Sequence, residues 1–96
     1  MFMRSAALLM EPVSATASRS ATRQALNLDQ GAFAKKAGLA PNTYNQYEKG
    51  ERVPKVEQAI SLCETYNITL DWIYRGDPSG LNYDVALKIQ AVRRAR

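Results

Sequence analysis

Leu28-Asp29-Gln30-Gly31-Ala32-Phe33-Ala34-Lys35-Lys36-Ala37-Gly38-Leu39-Ala40-Pro41-Asn42-Thr43-Tyr44-Asn45-Gln46-Tyr47-Glu48-Lys49-Gly50-Glu51-Arg52-Val53-Pro54 is the stretch whose reading decides the fold. Asp29 carries a short acceptor side chain suited to the free N–H groups of a first helical turn, so it starts a helix over 30–37. Gly38 closes that helix. Pro41, whose fixed φ suits a first helical position, opens a second over 41–49, which Gly50 ends. Val53-Pro54 then marks a loop.

A helical wheel divides the second helix. Tyr44, Tyr47 and Glu48 share one face, while Asn42, Asn45, Gln46 and Lys49 share the other. Side-chain amides set a donor beside an acceptor, which matches the major-groove edge of adenine. A short helix that follows another through a tight turn can present its N-terminal end to that groove. Taken alone, the wheel favours a plain solvated face.

Outward from this stretch the signals remain helical. Residues 14–26 are rich in Ala, Arg, Gln and Leu, and Asn27 can take the left-handed conformation that ends a helix. Val56, Ala59, Ile60, Cys63 and Tyr66 recur at offsets of three and four, predicting an amphipathic helix over 55–66 with that face inward. Thr69 caps a short helix over 70–75 that Gly76 ends, and 77–80 is a turn cluster. In the last helix, over 81–94, Leu81, Val85, Ile89 and Val92 form a stripe that must cover something. The domain's own Tyr66 and Trp72 surface, a second copy of the chain and a frayed tail are the alternatives, and the second copy is favoured. No strand pattern or repeat occurs, so the expected class is all-α with five to six helices. The expected division is an N-terminal extension over 1–13, loosely ordered or preceding a second start at Met10, then a domain over 14–76 and a dimerising tail over 77–96. The run Ala6-Ala7-Leu8-Leu9-Met10 is similar to a short signal-peptide core, but Glu11 and Pro12 interrupt it.

Composition narrows the chemistry. Ninety-six residues suit one domain with a modest core. A net charge of +4 fits a nucleic-acid partner, because each cation placed against a phosphate backbone is rewarded. Histidine is absent and Cys63 is the single cysteine, so the common zinc sites and the Ser-His-Asp and Cys-His machineries cannot be assembled. One cysteine forms no intrachain disulfide, in keeping with a reducing cytoplasm, and its place on an apolar stripe reads as a buried structural thiol. No apolar run approaches the roughly eighteen residues of a membrane span.

The stretch over 28–54 resembles the Cro/repressor (XRE) helix-turn-helix. Gln30, Ala34, Gly38, Tyr44 and Tyr47 fall at that family's spaced positions. Tyr47-Glu48-Lys49-Gly50 followed by Pro54 resembles its aromatic-Glu-x-Gly…Pro signature, and Ile68-Thr69-Leu70-Asp71-Trp72-Ile73-Tyr74-Arg75-Gly76 is similar to the segment that closes the domain in many members. The resemblance implies a repressor-like, helix-turn-helix DNA-binding domain. Asn42, Thr43, Asn45 and Gln46 are its expected base contacts, and Gln30, Lys49, Arg52 and Lys55 its expected phosphate contacts. It also implies an ion pair between Arg23 and Glu48, and a core in which Phe33, Ala37, Leu39, Tyr44 and Tyr47 meet Val56, Ile60 and Ile73. Two departures stand out: the inward positions of the first helix include Ala15, Ala21, Thr22 and Ala25 where relatives carry Leu or Ile, and Pro41 replaces a common polar contact.

The function expected on this basis is sequence-specific binding of double-stranded DNA by a cytoplasmic transcriptional regulator, a repressor acting as a homodimer. No cofactor, metal, small-molecule ligand, membrane or enzymatic role is implied. The antitoxin of a toxin–antitoxin pair and a protein-interaction adaptor that has lost DNA binding are the alternatives.

Overall fold

A computed structural model describes residues 12–94. Its elements are α1 (Ala15–Ala25), α2 (Gln30–Lys36), α3 (Pro41–Lys49), α4 (Val56–Tyr66), α5 (Leu70–Arg75) and α6 (Tyr83–Arg94), with no strand among the described residues. The described residues are all-α, with six helices. Of the expected N-terminal extension, residues 1–11 lie outside the described residues.

Local chemistry sets the helix ends. Ser14 Oγ accepts from the Ala17 N–H at 3.1 Å, Asp29 Oδ1 from Ala32 at 2.7 Å and Thr69 Oγ1 from Trp72 at 3.0 Å. Each satisfies a donor that a first turn leaves without a helical partner. α3 has no side-chain cap; it starts with Pro41 and ends at Gly50, φ +78°. At Gly76, φ +67°, an added Cβ would lie 1.8 Å from the Val13 carbonyl oxygen, so only glycine lets α5 end against the strand-like lead into α1.

Phe33, Tyr44, Tyr47, Trp72, Ile73 and Ile89 are the largest fully buried apolar side chains of the core. The Phe33 ring stacks on Tyr66 at 4.1 Å and tilts against Tyr44 at 5.0 Å. α1 runs against α3, α5 and α6. Its inner face buries Ser18, Arg19, Ala21 and Thr22, while Ala15 and Ala25 are only half-buried. Small side chains let the neighbouring helices approach, and the polar ones are paired. Trp72 Nε1 donates to Thr22 Oγ1 at 2.7 Å, and Thr22 Oγ1 to the Ser18 carbonyl at 2.8 Å.

Two expectations about faces are corrected. In α4 the buried residues are Ala59, Leu62 and Tyr66, while Val56 and Ile60 are 60% and 41% exposed and Cys63 is half-buried. Apolar residues cover so much of this helix that periodicity left its phase open, and packing turned Leu62 inward. In α6 the stripe is satisfied at home: Ala86 and Ile89 are fully buried, Leu81 is buried just before the helix, and α6 packs on α1. Val85 and Val92, the other members of the stripe, are half-buried, so the face packs chiefly on its own domain.

Candidate nucleic-acid interface

The turn between α2 and α3 is built from backbone hydrogen bonds. The N–H groups of Ala37 and Leu39 both reach the Ala34 carbonyl, at 3.1 and 2.9 Å, and Gly38 reaches that of Lys35 at 3.0 Å. Ala34 is wholly buried where the two helices cross. Ser61 Oγ of α4 donates to the Ala37 carbonyl and ties the turn down from beneath.

α3 is held along its inner face. Tyr44 and Tyr47 are buried; the Tyr44 hydroxyl donates to the Arg19 carbonyl at 3.2 Å, and that of Tyr47 to Gln58 Oε1 of α4. Burial pushes the Tyr44 phenol far above its ordinary range, so it stays a neutral donor. Arg19 reaches in from α1, donating from Nη1 to the Tyr47 carbonyl at 2.9 Å and from Nε to that of Ile73 at 3.2 Å. Sequence patterning places Thr22 inward but does not flag Arg19 or Gln58, because a polar residue in a small-residue helix or on an outer wheel position carries no periodic signal.

Beside this anchor lies a charged cluster that joins three helices. Arg23 Nε lies 2.7 Å from Glu48 Oε2, and Arg23 Nη2 lies 3.2 Å from Glu48 Oε1. The two side chains are 18% and 8% exposed. Arg23 Nη1 also donates to the Leu28 carbonyl at 3.1 Å. Burial alone would raise the Glu48 carboxyl, but the hydrogen bonds of Arg23 and Gln30 and the charge of Arg23 outweigh it and hold the group below the usual carboxylate range. Arg23 is raised in turn by its hydrogen bond to Glu48. Gln30 Nε2 donates to Glu48 Oε1 at 2.9 Å, so the half-buried side chain expected at a phosphate is turned partly into the cluster.

The opposite face of α3 is open. Asn42 and Lys49 are exposed, and Thr43, Asn45 and Gln46 are half-buried. The Gln46 carbonyl accepts from the N–H groups of Glu51 and Arg52 at 3.0 and 3.3 Å, folding the following loop back against the end of α3. Arg52 and Lys55 are exposed there, as are Lys35 and Lys36 of α2. Among the described residues none of these five cations is in an ion pair; the pairs are Arg23–Glu48 and Arg75–Asp71. The surface thus offers amides, a hydroxyl and free cations on a helix whose back is fixed. Among the described residues no helix is long and apolar enough to cross a membrane.

The chain is similar to the cryptic phage CTXphi transcriptional repressor RstR of Vibrio cholerae serotype O1, with 24% identity over 72 residues. That match takes in 75% of this chain and 64% of the repressor, so the chain spans just under two thirds of that relative's length. No solved structure matches it. A family model described as helix-turn-helix matches residues 21–73, from the middle of α1 into α5, and with more than half of its length accounted for the chain belongs to the helix-turn-helix family.

Proposed function

We propose that this chain binds double-stranded DNA through α3 and regulates transcription as a repressor. The observation that carries the reading is the contrast between the two sides of α3. One side is pinned by Tyr44, Tyr47 and the Arg23–Glu48 pair, and the other carries Asn42, Asn45, Gln46 and Lys49 toward solvent. Asn42, Thr43, Asn45 and Gln46 read base edges. Lys49, Arg52 and Lys55 set the register on the phosphates, and Gln30 joins them through the amide hydrogen that Glu48 leaves free. Residues 14–76 form the DNA-binding unit, with 77–96 an appended turn and helix, and the protein works in the cytoplasm without catalysis. Two copies act together, because one nine-residue helix spans few base pairs. The name of the similar repressor supports this reading, and the polar face of α3 disfavours an adaptor, whose surface would carry apolar anchors.

Selection from random duplex DNA, followed by a salt titration of the enriched site, is the test. A repeated, two-fold-related motif should emerge, and affinity should fall by orders of magnitude between about 50 and 200 mM salt. A selection that enriches nothing, or binding indifferent to salt, rejects the reading.

A further inference from the structure

A cleft of about 340 Å³ opens where the ends of α1, α2 and α4 meet the first half of α6. Leu26, Leu28 and Val85, all half-buried, and the buried Tyr66 give it apolar walls. Lys36 of α2 and Lys88 of α6 line it as well; both are exposed, and among the described residues neither is in an ion pair. Thr65 and Asn67 at the end of α4 add a hydroxyl and an amide, and no carboxylate lines the cleft. Helix ends could offset the lysines, but their carbonyls are taken. Those of Gln24 and Arg23 accept from the N–H groups of Asn27 and Leu28 at 3.0 and 3.3 Å, and that of Cys63 from Ile68 at 3.2 Å. The lysines therefore set the sign of the site. It uses none of the base or phosphate contacts named above.

We propose that this cleft binds a small organic anion, an apolar body that carries one carboxylate. At the roughly 30 Å³ of a water in the liquid, its volume corresponds to about eleven such molecules. Ligand pockets begin at about 300 Å³ and combine mostly apolar walls with a few polar groups that orient the ligand. The apolar body covers Leu26, Leu28 and Val85, and the carboxylate meets the ammonium groups of Lys36 and Lys88 in charge-assisted hydrogen bonds. A protein partner would need a surface of roughly 800 Å², so a recess of this size suits a free small molecule. Val85 and Lys88 come from α6, which packs on α1, while Lys36 comes from α2. An occupant thus ties the appended helix to the helix-turn-helix unit and favours the state in which α6 is docked. The inference stands without the DNA-binding reading.

The test titrates the full chain with hexanoate, with hydrocinnamate and with the neutral amide of hydrocinnamate, following backbone amide shifts at constant ionic strength. At the affinity per atom usual for small ligands, at least one carboxylate should bind with a dissociation constant of about 5 mM or tighter. It should shift the amides of Thr65, Asn67, Val85 and Lys88. The neutral amide should bind the native protein at least about fivefold more weakly, and K36Q/K88Q should bind the carboxylate more weakly by a similar factor. K35Q, which changes an exposed lysine outside the cleft, should match the native protein, and both variants should keep the native melting curve. No saturation by either carboxylate up to about 20 mM overturns the inference. So do shifts that map elsewhere, equal binding of the neutral amide, equal binding by K36Q/K88Q, or an equal loss in K35Q.

Discussion

Arg19 Nη1 donates to the backbone carbonyl of Tyr47 at 2.9 Å, and its Nε to that of Ile73 at 3.2 Å. Arg19, only 7% exposed, thus closes the C-terminal ends of α3 and α5 together. No carboxylate pairs with it among the described residues; the negative ends of two helix dipoles meet its charge instead. Arg19→Met keeps the bulk and removes both donors, leaving the Ile73 carbonyl short and that of Tyr47 with only the Gly50 N–H at 3.4 Å. It should cost about 2 kcal/mol or more, measured by urea denaturation. A loss under about 0.5 kcal/mol would show that the carbonyls are satisfied without Arg19.

The Arg23–Glu48 pair should set acid stability. Its carboxyl is held below the usual range in the folded state, so the stability it contributes is full above the unfolded value of about 4.3 and drains away as pH falls through the folded one. The stability difference between the native protein and Glu48→Gln should be flat above about pH 5 and shrink below about pH 4. At neutral pH, Glu48→Ala should cost about 3 kcal/mol, because Arg23 is left largely buried without its partner. Strict additivity of Arg23→Ala and Glu48→Ala in a double-mutant cycle would contradict the coupling.

Gly38 and Gly76 separate backbone strain from collision. Both have positive φ, yet an added Cβ meets nothing within 4 Å at Gly38 and sits 1.8 Å from the Val13 carbonyl oxygen at Gly76. Gly38→Ala should cost about 1–2 kcal/mol, the left-handed penalty alone. Gly76→Ala should cost clearly more and pull the Val13 N–H from the Gly76 carbonyl, a 3.0 Å hydrogen bond. Thermal melts of the two variants, with amide exchange at Val13, decide the point; equal melting temperatures would refute it.

On a selected operator the residues of α3 and its loop should divide by role. Asn42→Ala and Gln46→Ala should each lose about 1–3 kcal/mol and flatten preference at particular base pairs. Lys49→Ala and Arg52→Ala should weaken specific and random duplexes alike and reduce the salt slope by about one each. Fluorescence titrations on both kinds of duplex measure this, and four variants that behave identically would reject the division.

The sequence by itself determined what depends on a few adjacent residues. Pro41 at the start and Gly50 at the end of α3, and the Asp29 cap of α2, are legible because caps and left-handed residues act through backbone dihedrals and hydrogen bonds within one turn. The inward turn of Tyr44 and Tyr47 is legible too, since α3 has only one apolar side. Tertiary structure alone decided which of several apolar sides is covered. Val56 and Ile60 carry the right spacing to be core, yet Leu62 takes that place because α4 meets the rest of the core along a rotated line. The stripe of α6 could serve a second copy or its own domain, and the small residues of α1 made room for Ala86 and Ile89 at home. Arg19 reads as one more surface cation until α3 and α5 converge on it with helix ends that need donors. Burial is a property of the neighbour that arrives from elsewhere in the chain, and no local pattern encodes that arrival.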